Sequence, residues 1–187
     1  MNSATGESPP DDLPEWMARY QAGDEAAFEE IYGRLARSVR GYLRTIAPPR
    51  ADVEDLVQNT FLQIHRSRQS YLPGEPVRPW IFSIARHVGL MALRSIGRRG
   101  RREVQPFDEL PEVPVLARAA GTLDRIALGR ALATLGESGR EAVWLHHVEG
   151  FSFREIAAVQ GISETAAKVR AHRAIVALRG EFAEAGG

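Results

Sequence analysis

The sequence predicts an all-α protein made of two small helical domains joined by a flexible linker, and three observations lead there. Apolar residues recur with helical spacing through most of the chain. No sustained alternation of β-branched residues marks a strand, and an acidic, proline-bearing stretch near the middle breaks the helical pattern. A length of 187 residues suits one medium domain or two small ones, so pattern rather than size decides. The composition, 44% apolar and 26% charged, is that of a globular protein, and no apolar run approaches the roughly 20 residues a membrane span takes. The first residues lack the basic segment and apolar core of a secretory signal, so the expected location is cytoplasmic. With no cysteine, the chain has no disulfide, thiolate zinc site or redox switch of its own.

Residues 1–12 are expected to form a disordered tail. The first domain, 13–99, begins with a helical region from about Leu13 to Ala47, in which Ala27, Phe28, Ile31, Tyr32 and Leu35 make an apolar stripe and Asp24 is placed to cap the main part. Pro48 and Pro49 end it. A second helix, about Arg50 to Arg66, carries Val53, Val57, Phe61 and Ile64 on one face, with Asp52, Glu54 and Asp55 in a first turn that suits the helix dipole. After the loop SRQSYLPGEP a third helix runs from about Val77 to Arg99, with Trp80, Ile81, Ile84, Ala85, Val88, Met91 and Ala92 as its apolar set. Residues 100–121, with Pro106, Pro111 and Pro114, are the linker. The second domain, 122–187, holds four short segments: about Thr122 to Leu135, Ser138 to Glu149, Ser152 to Gln160, and Ser163 to Phe182.

Net charge is zero, yet the charges are unevenly spread. Met1 to Gly33 holds eight acids and one base, whereas Pro76 to Arg102 holds seven arginines and no acid. A second basic stretch, Ile162 to Gly180, carries Lys168, Arg170, Arg173 and Arg179 against Glu164. Arginine forks suit phosphate and guanine, though a GC-rich coding genome produces the same bias.

The segment FSFREIAAVQGISETAAKVRAHRA reads as a helix-turn-helix. Ser152 and Glu155 have capping-box spacing, Gly161 allows a left-handed turn, Ala157 is small at the helix crossing, and Ile156, Ile162 and Val169 are expected to close a miniature core. Ser163 caps the second helix, whose Glu164, Thr165, Lys168, His172 and Arg173 then face DNA, while Arg170 is expected to pair with Glu155. The same pattern also fits a helical hairpin with a merely solvated charged face. Adjacent His146 and His147 cannot share one metal, and neither a metal site nor a cofactor is expected.

The pieces ADVEDLVQNTFLQIHR and PVRPWIFSIARHVGLMALR closely resemble region two of the extracytoplasmic-function family of bacterial RNA polymerase sigma factors. The stretch GRALATLGESGREAVWLHHVEGFSFREIAAVQGISETAAKVRAHRAIVALR resembles the same family's region four, in the same order and spacing. The resemblance implies a promoter-specificity subunit with no catalytic chemistry. It places Asp52, Glu54, Asp55, Leu56, Gln58 and Asn59 against the clamp helices of the largest polymerase subunit, with simple burial the alternative for Leu56. Around the third helix it implies opening of the upstream promoter element and capture of the exposed strand. There Tyr71 and Trp80 supply aromatic surface, Arg78, Arg86, Arg94, Arg98 and Arg99 supply a phosphate track, and His87 lies at the base-reading position. Trp80 has core as its alternative. In the helix-turn-helix, Ser163, Glu164, Thr165, Lys168, His172 and Arg173 are the implied duplex contacts. Two departures bear on base preference: His87 stands where asparagine is common and Met91 where an acid is common. Ala167 replaces a frequent valine.

The implied partners are core polymerase, which the chain joins as a monomer, promoter DNA, and a separate anti-sigma factor, since the tail EFAEAGG has no room for a sensory domain. Tethering both domains to one polymerase makes the second DNA contact intramolecular, which fits a neutral chain. A stand-alone helix-turn-helix repressor predicts instead a dimer on a two-fold operator. An enzyme built from Glu54, Asp55, His65 and His87 lacks any accompanying phosphate loop or metal-ligand spacing.

Overall fold

The computed structural model describes residues 12–99 and 135–185, and every described element is helical. The tail up to residue 11, the linker and almost all of the expected Thr122 to Leu135 segment lie outside the described residues.

The expected first helical region is two helices, α1 (Leu13–Gln21) and α2 (Glu25–Ile46). The break falls at Gly23, whose φ of 100° is open to glycine and poorly to other residues. Asp24 then starts α2 by accepting from the amides of Ala26 and Ala27. Arg19 reaches across the break to the same carboxylate at 2.6 and 2.9 Å, and this guanidinium holds the Asp24 carboxyl below its usual range. Helix α3 (Val53–Ser67) begins at Asp52, which caps it through the amides of Glu54 and Asp55. One 3₁₀ turn (Arg68–Ser70) and a loop lead to α4 (Val77–Arg99).

Helices α1, α3 and α4 pack around α2, burying Met17, Ile31, Val39, Leu43, Val57, Ile64, Ile81 and Ala85. Gly89 of α4 lets that helix lie directly on the end of α2, since a Cβ there would stand 2.8 Å from Ile46 Cδ1. Met91, expected in the apolar set of α4, is instead 42% exposed, whereas Phe82, outside that set, is fully buried. The reason is that α4 is covered from two sides, by α2 and α3 on one and by the second unit on the other.

The second unit consists of α5 (Glu137–His147), α6 (Phe153–Gln160) and α7 (Glu164–Ala185). Leu145, Ile156, Ala167 and Ala171 are buried in its centre, and Leu135, Val143, Ala174 and Leu178 form a satellite cluster between α5 and α7. Small residues set the spacing: a Cβ at Gly139 would already lie 3.3 Å from Ala174 Cβ.

The two units share one apolar cluster. Phe151 meets Phe82 edge-on with ring centroids 5.1 Å apart, and the Trp144 indole lies on Gly41, where a Cβ would come within 2.9 Å of the ring.

His147 is half-buried, and its Nε2 has no hydrogen-bond partner among the described residues. Burial, with the neighbouring His146, lowers its pKa below the ordinary 6.5. The unfolded chain therefore takes up a proton before the folded one does, so this contribution to stability is present above about pH 6.5 and is lost as the pH falls through the folded value. Glu149, raised above 4.5 by burial, pulls in the opposite direction. Urea titrations across the acid range test this against His147→Leu, in which Glu149 is unchanged: the variant should lose less stability on acidification than the parent, and equal losses would contradict it.

Candidate polymerase and nucleic-acid interface

Helix α3 is wedged between α2 and α4, so its buried arc is wider than one stripe. Leu56, Val57, Thr60, Phe61 and Ile64 point inward, and buried Thr60 satisfies its hydroxyl on the Leu56 carbonyl at 2.8 Å. Leu56, set against a partner with burial as its alternative, is thus core, 7% exposed. The outer rim keeps Asp52, Glu54, Asp55, Gln58 and Asn59 exposed. Glu54 is held by a two-pronged pair with Arg40 of α2 at 2.6 and 2.8 Å, which lowers the Glu54 pKa. Sequence spacing alone gave no sign of Arg40. Leu62, 44% exposed, extends the rim with an apolar residue the sequence reading passed over.

Beside the rim, a groove between α3 and α4 is lined by Asn59, Gln63, His87, Val88 and Met91. His87 is exposed there, and Arg94 is exposed one turn beyond Met91. Arg98 and Arg99 end α4, and their side chains lie outside the described residues.

Tyr71 corrects the sequence expectation. It is 3% exposed, its hydroxyl donates to the Glu75 carbonyl at 2.5 Å, and its ring packs on the edge of Trp80 at 5.5 Å. It therefore braces the loop from inside and offers no free surface. Trp80 is half-buried against the same core, the alternative the sequence allowed. Arg78 and Arg86 are partly exposed but engaged with the second unit. Arg78 donates to Glu149 at 2.7 Å, and Arg86 donates to Glu141 at 2.8 Å.

The helix-turn-helix forms as its caps dictate. Ser152 and Glu155 make a full capping box, and Gly161 ends α6 at φ 66°, ψ 41°. Ser163 caps α7 by accepting from the Ala166 amide at 3.2 Å. Two details differ from expectation. Val169 is 41% exposed, and Ala167 and Ala171 take the interior places beside Ile156, because α7 meets α6 along its alanines. Arg170 donates to Gln160 at 3.1 Å in place of Glu155, whose carboxylate is used on the Ser152 amide and hydroxyl. The outward face of α7 carries Glu164, Thr165, Lys168, His172 and Arg173, all exposed, with Glu164 and Lys168 paired at 2.7 Å.

Two family models match these two units. Sigma-70 region 2 matches residues 31–99, and Sigma-70 region 4 matches residues 125–178. The chain is an ECF sigma factor of RNA polymerase. It is 40% identical to the RNA polymerase sigma factor CarQ of Myxococcus xanthus over 87% of this chain and 93% of that protein. It is 35% identical to the ECF sigma factor SigF of Caulobacter vibrioides over 91% and 94%. The solved structure of CnrH in complex with the cytosolic domain of CnrY superposes with a TM-score of 0.68 at 27% identity, over 93% of this chain and 99% of that one. As a sigma factor it is a non-catalytic polymerase subunit serving transcription initiation, so the carboxylates and histidines of α3 and α4 need no acid–base role.

The capping box gives this sigma factor a local test. Ser152→Ala removes the side-chain acceptor for the Glu155 amide and should lower stability by about 1 kcal/mol. Thermal unfolding would show this as a lower midpoint, and an unchanged midpoint would mean the box contributes nothing.

Proposed function

We propose that the first unit docks on the clamp helices of the largest polymerase subunit and helps melt the upstream promoter element, while the second reads an element further upstream as duplex DNA. The observation that carries this reading is the two-sidedness of α7. Ala167, Ala171 and Ala174 are buried on one side, while Thr165, Lys168, His172 and Arg173 stand exposed on the other, facing nothing in the chain's own core. The rim Asp52, Asp55, Gln58 and Asn59 supports the polymerase assignment, since four exposed polar groups in two turns of a helix fixed from behind suit a protein partner better than a nucleic acid. His87 and Arg94, exposed along α4, support contact with the opened strand, as do Arg78 and Arg86 when free of the second unit.

The solved relative CnrH is in complex with the cytosolic domain of a second protein, CnrY, which supports binding of this chain by a separate protein, in the role of an anti-sigma factor. No helix among the described residues is long and apolar enough to cross a membrane.

Run-off transcription tests the reading, with purified chain and bacterial core polymerase on the DNA upstream of the chain's own gene. A discrete transcript should appear only with the chain present. Asp55→Ala should weaken binding to core polymerase by about tenfold, ~1.4 kcal/mol. Lys168→Ala and Arg173→Ala should leave core binding intact and each reduce the promoter-specific transcript by about tenfold, within the ~1–3 kcal/mol typical of a base or phosphate contact. No transcript, or loss of core binding from the α7 variants, would overturn it.

A further inference from the structure

Spacing alone puts Val169 inside the helix-turn-helix, yet the structure turns it outward, 41% exposed. Its place on α7 explains why. Val169 lies two residues, roughly 200° of helical turn, from both Ala167 and Ala171, the buried alanines of that helix. It therefore sits in the middle of the opposite face. Thr165 precedes it by four residues and Arg173 follows it by four, Lys168 and His172 flank that row, and all four are exposed.

Folding gives no reason for a valine here. A branched side chain is a poorer helix former than alanine, and one left this exposed buries little against its own chain. Its polar neighbours can offer hydrogen bonds to base edges and phosphates, and valine cannot. What valine offers is apolar surface, and the base edges of the major groove present a matching apolar group at one place, the 5-methyl of thymine. Against an adenine, guanine or cytosine edge the same side chain would dry polar atoms without replacing their hydrogen bonds, which is unfavourable. Its position along the helix agrees. Val169 is in the second turn of α7, and a recognition helix reaches base edges with its N-terminal residues.

We infer that Val169 is a specificity-determining residue: its methyl groups pack on the 5-methyl of one thymine in the upstream duplex element, so that the chain selects a T·A pair there by apolar fit. The inference rests on the proposed reading of duplex DNA by α7 and adds the base recognised at this point of the helix. Val176 supplies the contrast. It is more exposed still, at 52%, and lies seven residues on along the same face, but in the fourth turn, past the base-reading end.

Deoxyuridine differs from thymidine by that methyl group alone, so it removes the contact and leaves base pairing intact. Full-length chain with core polymerase is assayed on the promoter upstream of its own gene, with each thymine of the upstream duplex element, on either strand, replaced singly by deoxyuridine. The holoenzyme concentration giving half-maximal transcript is read for the parent, Val169→Ala and Val176→Ala, substitutions that favour the helix. At one thymine the replacement should raise that concentration about fourfold in the parent, the factor that ~0.8 kcal/mol for one buried methyl-sized group gives. Val169→Ala should lose a similar factor on the thymine promoter and nothing further on the deoxyuridine one, while Val176→Ala keeps the parent's full sensitivity. The methyl contact is overturned if no thymine is sensitive, if the sensitivity survives in Val169→Ala, or if Val176→Ala abolishes it too. Lys168→Ala and Arg173→Ala on the unmodified promoter tell this failure from that of the underlying reading: a reduced transcript keeps α7 as the duplex reader and removes only the role of Val169, whereas an unchanged transcript removes both.

Discussion

Glu141 is the constraint around which the two halves are arranged. A carboxylate 4% exposed on its own helix is tolerable only where donors surround it, and they come from two different helices of the first unit, Tyr42 on α2 and Arg86 on α4. That requirement fixes the register of α5 against α2 and, through α5, the position of Phe151 and Glu149 at the loop leading into α6. Burial and the adjacent negative charge push the Tyr42 hydroxyl well above its ordinary range, so it remains a proton donor to Glu141 throughout the physiological range.

Inside each unit the helices follow rules that operate over a few residues, which is why the sequence reveals them. Asp24, Asp52, Ser152 and Ser163 each mark a helix start, and the expected and observed bounds of α3, α4, α6 and α7 differ by about one turn or less. The exposed polar side of α7 was legible for the same reason, because its residues recur with the helical period. Between the units no such rule exists. The pairing of Tyr42 with Glu141 spans 99 residues, and neither side chain carries any local mark of its partner.

The misread residues share a physical cause. Leu56 falls on the same turns as the acidic rim, but α3 is gripped by two neighbours, and the arc they cover reaches past one apolar stripe. Tyr71 follows a polar loop and looks available, yet its ring fills the space beside Trp80 and its hydroxyl closes the loop on the Glu75 carbonyl. Val169 looks like core until the alanines of α7 are seen to take the close approach to α6. In each case a residue type suited to two environments was assigned by third parties, the neighbouring elements, that a linear pattern does not contain.

The seat of Trp144 on Gly41 has a bearing on how any parting of the two halves would proceed. The indole rests on bare backbone at a position where even a methyl group would collide, so there is no flexible side chain in the socket to follow the ring as it withdraws. Dispersion between such surfaces is forfeited within an ångström or so of travel. A joint of this kind has little room for half-open geometries: it is seated or it is not, and a population of such molecules should respond to any opening force as a shift in the fraction seated, not as a gradual loosening of each one.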